Sequence, residues 1–349
     1  MPSQENLNSN TPSKRKSNKR FFVFSTFVIV LLSYQVFIQS KINDEDDQIH
    51  DNKVHDDYRI YSLNHPKNLA FCDEPVPLHD LDVKERFDKE LLVNTYYQSQ
   101  TVLFIKRANR YFPTIERILK EENVPSDFKY LALIESGLTN VTSPAGAKGF
   151  WQFMKETGTS YGLEINNEID ERYHLEKSTH AAAKYLKKAY EEFGSWTLAA
   201  ASYNRGIPGI GRDLKRQKVN NFYDLLLNSE TSRYLFRIIA AKEIIENQTK
   251  YGFHVREKDK YPEFKSKTIT INQPISDFTD LALEHGVSYK TLKIFNPWLR
   301  QSYLKNGEQS SYEIEIPIEG FSFFSDQDAL DSTQLAKNDS LSNDSLIHE

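Results

Sequence analysis

Between Asp82 and Gln248 apolar residues recur at steps of three and four, and this period fixes the fold class before any motif is considered. Val102, Ile105, Ala108, Phe112, Ile115 and Leu119 fall on one helical face. Ala182, Tyr185, Ala189 and Phe193 repeat the pattern up to Gly194, and Leu235, Ile238, Ala241 and Ile245 repeat it again. Pro125-Ser126-Asp127 punctuates the chain and supplies an N-cap for a helix ending near Glu135. The expectation is a mainly α protein whose multi-helix domain spans residues 81–252. Nine of the 13 glycines lie between Gly137 and Gly211. Gly158, Gly162 and Gly194 read as helix ends and turns, whereas the close pair Gly146 and Gly149 suits a cleft wall, where backbone must approach backbone.

The flanks differ in kind. A net charge of -5 hides a basic start (Lys14, Arg15, Lys16, Lys19, Arg20), an acidic stretch from Asp44 to Asp57 and an acidic tail from Asp326. Such blocks repel themselves and seldom fold. Residues 21–39 form an uncharged, largely apolar run of about the length a bilayer requires. The basic residues before it favour an inside N-terminus. No small-x-small site follows at Ser40-Lys41-Ile42-Asn43, so an uncleaved anchor is expected rather than a signal peptide. Residues 1–20 then read as a cytoplasmic tail, 21–39 as a transmembrane helix, 40–80 as a linker and 319–349 as a disordered tail, with the folded part outside the cytoplasm. Cys72 is the only cysteine, which excludes an internal disulfide or a cysteine metal site.

After Gly252 the texture changes. Lys267 to Ile271 and Tyr312 to Pro317 alternate like strands, and Phe278 to His285 and Tyr289 to Phe295 read as short helices between them. Residues 267–318 are therefore expected to form a small βααβ module. The nine histidines are scattered without a ligand pattern, no phosphate-cradling glycine loop is present, and the lysines from Lys184 to Lys218 read as solvated helix faces. No metal, no cofactor and no nucleic acid is expected.

The chemistry centres on Glu135, which follows the apolar run Tyr130-Leu131-Ala132-Leu133-Ile134. Partial burial would disfavour its ionised form and raise its pKa, as a proton donor near neutral pH requires. Taken alone, Glu135 reads more readily as an N-cap or surface acid of ordinary titration. The ordered set Glu135-Ser136, then Ser143-x-x-Gly146-Ala147-x-Gly149-Phe150-Trp151-Gln152, then Ala201-x-Tyr203-Asn204-x-Gly206, resembles the lytic transglycosylases with a goose-type lysozyme-like fold. Glu230-Thr231-Ser232-Arg233-Tyr234 looks like the element that follows this core in the membrane-bound lytic murein transglycosylase D group.

The resemblance covers residues 95 to 250 and implies cleavage of the β-1,4 bond between N-acetylmuramic acid and N-acetylglucosamine in peptidoglycan, leaving 1,6-anhydromuramoyl ends. It implies Glu135 as acid and then base. Gln152 and Asn204 would bond sugar hydroxyls or acetamides, Tyr203 and Tyr234 would lie beside Glu135, and Ser143 would orient the muramoyl unit or the acid. Tyr203, Tyr234 and Trp151 also read as core aromatics. Lys155 and the segment Leu138-Thr139-Asn140-Val141 stand where the family commonly has prolines. The C-terminal module resembles a LysM domain through Ile271-Asn272-Gln273-Pro274-Ile275, His285-Gly286-Val287, Leu292-x-x-Phe295-Asn296 and Ile314-x-Ile316-Pro317, with an extra stretch from Leu299 to Ser311. Two readings follow for it: glycan binding, or packing on the catalytic domain.

The resemblance also implies a periplasmic enzyme on the inner membrane with peptidoglycan strands as its partner. The alternatives are a muramidase-type hydrolase using Glu156, Glu164 or Asp170 as a second carboxylate, and a non-catalytic peptidoglycan-binding protein.

Overall fold

The computed structural model describes residues 60–307 and 310–318. The expected anchor, the cytoplasmic tail and the acidic C-terminal tail lie outside the described residues. Among the described residues no helix is long and apolar enough to cross a membrane.

The structure is mainly helical. Helix α1 (Leu81–Tyr96) starts at Asp80, whose carboxylate accepts the Val83 N–H at 3.0 Å. Helix α2 (Gln98–Glu121) buries Phe104, Ile105, Ala108, Phe112, Ile115, Ile118 and Leu119, the face that the spacing predicts. The short helix α3 (Lys129–Ser136) is almost wholly buried up to Ile134, because it runs through the centre of the domain. Around it lie α4 (Lys155–Ser160), α5 (Leu175–Phe193), α6 (Trp196–Arg205), α7 (Ile207–Gln217) and α8 (Ser229–Glu246). Alanines 181–183 and 199–201 are buried, which lets α5 and α6 pack closely.

Two segments depart from the expectation. The chain from Leu69 to Val76, inside the stretch read as a linker, is a hairpin of β1 (Ala70–Phe71) and β2 (Glu74–Pro75) with Leu69, Phe71, Cys72 and Val76 buried. It also caps a helix. The Glu74 carboxylate accepts the N–H groups of Trp196 (2.5 Å) and Thr197 (3.0 Å), which have no partner inside α6. The second departure is Asp127, which caps nothing. The short 3-10 turn Ser126–Phe128 has no side-chain cap, and the Asp127 carboxylate instead accepts the Cys72 N–H (2.7 Å) and pairs with Lys242 (2.6 Å). A long-range task outcompetes the local one.

The C-terminal module has the order β3 (Ser266–Ile271), α9 (Phe278–Glu284), α10 (Tyr289–Phe295), β4 (Tyr312–Pro317), with the strands antiparallel from Ser266 opposite Pro317 to Ile271 opposite Tyr312. Asn296 is fully buried and pins helix to strand, donating to Glu315 O (2.7 Å) and accepting the Glu315 N–H (2.8 Å). The extra stretch after Asn296 is a docking strap. Asp170 N–H donates to Trp298 O (2.9 Å), Arg300 N–H to Glu168 O (2.7 Å) and Lys305 N–H to the Glu168 carboxylate (2.7 Å). Ile169 and Tyr173 of the larger domain sit in the module's own apolar core beside Trp298 and Leu299.

Candidate active site

Glu135 stands in the last turn of α3, which ends at Gly137 in the left-handed conformation (φ 61°). The final carbonyls of a helix have no internal partner. Here Arg237 donates to Ile134 O (3.2 Å) and Arg107 to Gly137 O (3.0 Å), so two cations brace the end of the helix that carries the acid. Ser136 donates to Phe150 O (2.9 Å) and joins α3 to the facing loop.

The Glu135 carboxylate accepts a hydrogen bond from the Tyr234 hydroxyl. Its pKa is raised above the ordinary glutamate value. Burial is the main cause, and the Glu230 charge adds to it; the Tyr234 hydrogen bond and the Arg237 charge pull the other way without cancelling it. Tyr234 and Tyr203 are both pushed well above the ordinary phenol range, first by burial and then by the Glu135 charge, so all three groups lie close enough to feel one another. Tyr203 donates to Trp151 O (2.8 Å). Both tyrosines therefore combine the two readings the sequence left open: each ring is packed, and each stands beside the acid.

Asn204 joins α6 to the start of α8. Its amide donates to Glu230 (3.2 Å) and its carbonyl oxygen accepts the Thr231 hydroxyl (2.7 Å). Helix α8 is further fixed by the buried Glu90, which accepts from Arg233 at 2.5 Å, one residue before Tyr234. Sequence reasoning missed Arg237, although its position three residues after Tyr234 places both on one helical face. It named Glu230 within a motif but gave it no role, although its charge reaches Glu135.

The facing loop, 143–153, is a rigid wall. Ser143 closes a turn by accepting the Ala147 N–H at 3.0 Å and makes no hydrogen bond to Glu135. Gln152 has a left-handed backbone (φ 50°), and its amide NH₂ donates to Gly149 O (2.8 Å) and Val141 O (3.1 Å). Trp151 is core, fully buried with its indole N–H on Thr179 (2.9 Å). The wall rests on Arg172, a buried side chain bound through two nitrogens to Asp170 (2.8 and 2.7 Å), which also donates to Gly146 O (3.3 Å) and Phe153 O (3.2 Å). A side chain at Gly149 would place its first carbon 1.8 Å from Arg172 O, so only glycine fits there.

The acids named as possible second carboxylates are engaged elsewhere or apart from this pocket. Asp170 holds Arg172, Glu164 accepts the Tyr312 hydroxyl (3.1 Å), and Glu156 is exposed on α4. Among the described residues no cluster of metal-ligating side chains is present.

The family model described as transglycosylase SLT domain matches residues 112–226, and that described as soluble lytic transglycosylase C-terminal LysM-like domain matches residues 267–320. The chain is homologous to membrane-bound lytic murein transglycosylase D of Escherichia coli K12, with 29% identity over 228 residues, 64% of this chain and 49% of that protein. The protein of the same name from Escherichia coli O6:H1 gives the same figures. The chain thus spans about half the length of the curated relatives it matches. A solved structure of an inactive mutant of the lytic transglycosylase Slt from Pseudomonas aeruginosa aligns at 21% identity and a TM-score of 0.33, covering 43% of this chain and 26% of that one.

Proposed function

We propose that this chain, which carries an SLT transglycosylase domain and a LysM-like C-terminal domain, is a peptidoglycan lytic transglycosylase with Glu135 as its acid and base. The observation that carries the reading is the Glu135 carboxyl: partly buried, raised in pKa chiefly by desolvation, hydrogen-bonded by Tyr234 and close enough to Tyr203 to influence it. A desolvated carboxyl is protonated at higher pH than a surface glutamate and can donate to a glycosidic oxygen.

The reaction balances on this one group. Glu135 protonates the oxygen leaving the muramoyl anomeric carbon as that bond breaks. The carboxylate then takes the proton of the muramoyl C6 hydroxyl as its oxygen closes on the anomeric carbon, which regenerates the acid and yields the 1,6-anhydro end without water. Holding that hydroxyl in place makes the second step effectively unimolecular. The Gln152 carbonyl oxygen and Asn204 face the glycan, while Ser143 acts indirectly by holding the turn of the wall. Residues 21–39 anchor the enzyme so that the domain faces the periplasm.

One observation favours a second reading. Inverting and retaining glycosidases place a second carboxylate about 5–9.5 Å from the first, and the exposed Glu230 influences Glu135. Mass spectrometry of digested murein separates the two: transglycosylation gives anhydro ends lighter than reducing ends by one water, and hydrolysis does not. Glu135→Gln is expected to abolish turnover under either chemistry. Glu230→Gln should leave anhydro products intact. Full digestion by the Glu135→Gln variant would end the proposal.

A further inference from the structure

One short turn joins the C-terminal module to the cleft wall. The 3-10 turn Glu171–Tyr173 carries two adjacent side chains that reach the loop 142–153 at separate points. Arg172 holds the tip and the far end, by donating to Gly146 O (3.3 Å) and Phe153 O (3.2 Å). Tyr173 holds the near end, where its hydroxyl and that of Thr142 share a hydrogen bond of 2.9 Å. Thr142 directly follows Val141, whose carbonyl accepts the Gln152 amide (3.1 Å) and the Gly149 N–H (3.0 Å). The placement of Gln152 thus hangs on an arm that Tyr173 ties down.

The ring of Tyr173 belongs to the module. Although the residue lies in the larger domain, its ring is buried in the module's apolar core beside Trp298 and Leu299. Arg300 of the strap stands 4.3 Å from the ring centre, and Lys148 of the wall stands 5.8 Å from it. Aromatic faces attract cations, so the ring draws on both sides of the seam. Lys148 also pairs with Asp170 (3.6 Å), whose N–H is held by Trp298 O (2.9 Å). The wall itself contains only isolated β-bridges, such as Thr142 with Lys148 and Lys148 with Phe153. A loop with so little regular structure takes its shape from what it leans on.

We propose that the C-terminal module acts in turnover as a clamp on the cleft wall, with Tyr173 as the positioning residue that couples the two. Tyr173 touches no reacting atom: its ring is fixed by the module, and its hydroxyl fixes the loop. This rests on the catalytic reading above and gives the module a task that needs no sugar contact of its own. A wall displaced by about 1 Å presents the glycan badly to Glu135, and misplacement on that scale can cost about a hundredfold in rate.

The test uses the full chain and two readouts: hydrogen–deuterium exchange of the amides in 141–153, and kcat/KM for release of anhydro ends from murein glycan. Tyr173→Phe keeps the ring in the module's core and leaves the exposed Thr142 free to bond water, so it should melt only slightly below its parent. The expected result is wall exchange faster by about tenfold or more, unchanged exchange in α8, and kcat/KM lower by about tenfold. The alkaline limb of the pH profile should stay in place, because Glu135 and its neighbours are untouched. Thr142→Val should act alike, and the two together should lose no more than either alone. The module's part is read from Glu168→Ala combined with Arg300→Ala, which frees the strap at Lys305 N–H and removes the cation over Tyr173. That variant should also loosen the wall and lower kcat/KM. Normal exchange and turnover in Tyr173→Phe overturn the proposal, as does a looser wall with unchanged turnover. Loss in Tyr173→Phe with none in the strap variant overturns the clamp role of the module. A wall loosened by all of these variants in a chain that never releases anhydro ends would keep the mechanical coupling and reject the catalytic reading.

Discussion

The two sides of the candidate cleft are built by different means. On the acid side Glu135, Tyr234 and Arg237 all sit on helices, and one turn of α8 delivers both of the groups that touch α3. On the wall side the loop from Ser143 to Phe153 is shaped by a buried arginine, and the segment bearing that arginine is gripped by a module that begins more than ninety residues later. Helical register places the acid's partners, whereas remote chain shapes the wall. The acid side should therefore respond to substitution in its titration, and the wall side in its stability.

The largest expected effect is on the wall. Asp170→Ala leaves the Arg172 guanidinium buried without its partner. Breaking a buried pair in this way costs about 3–5 kcal/mol. Gly149→Ala combines a backbone clash with a left-handed φ of 79° and should cost at least about 2 kcal/mol. Urea unfolding of the two variants checks both figures. Wild-type stability for Asp170→Ala would show that the wall does not depend on Arg172.

Next in size is the seam between the domains. His174 lies 5.6 Å from Trp298, ring to ring, and is neutral in the fold. Its folded pKa of about 4 lies below the ordinary 6.5, so its contribution to stability is complete above 6.5 and is lost as pH falls from 6.5 towards 4. His174→Gln should flatten that part of the curve of melting temperature against pH. Trp298→Ala, which empties the shared core, should cost about 3 kcal/mol.

The same contrast marks what the sequence made legible. Helical periodicity exposed the buried face of α2, and strand alternation exposed β3 and β4, because both are local patterns of period. The ordered motifs brought out Glu135, Tyr203, Asn204 and Tyr234, which the structure gathers around the acid or at the start of α8. Glu74, Asp127 and Arg172 stayed hidden. Each works across 19 to 123 residues of chain, and nothing in a local window distinguishes a carboxylate that caps a distant helix from one that meets water. The hairpin at 69–76, inside the stretch read as a linker (40–80), stayed hidden for the same reason: it is short and mixed, and its worth lies in what it reaches.

On the acid side smaller, directional effects are expected. An acid that must be protonated to work loses activity as pH rises through its pKa, so under the proposed chemistry the alkaline limb of kcat/KM should report Glu135. Tyr234→Phe removes a hydrogen bond that stabilises the carboxylate, so the pKa should rise and the limb move to higher pH. Glu230→Gln removes a negative neighbour and should move the limb to lower pH. Shifts in one common direction would mean that these two groups do not act on Glu135 through charge and hydrogen bonding.

The smallest effect sharpens the rule by exception. Arg117 bridges Glu121 and Glu176 with about half of each side chain in solvent. Ion pairs of this kind contribute about 0–1 kcal/mol, since water screens the attraction and two long side chains must be held still. Arg117→Ala should therefore leave the unfolding midpoint nearly unchanged. Glu90→Ala, which empties a fully buried site on α1 and removes the partner that holds the half-exposed Arg233, should shift it clearly. The two pairs look alike as a list of charges, and their difference in burial should account for the difference in cost.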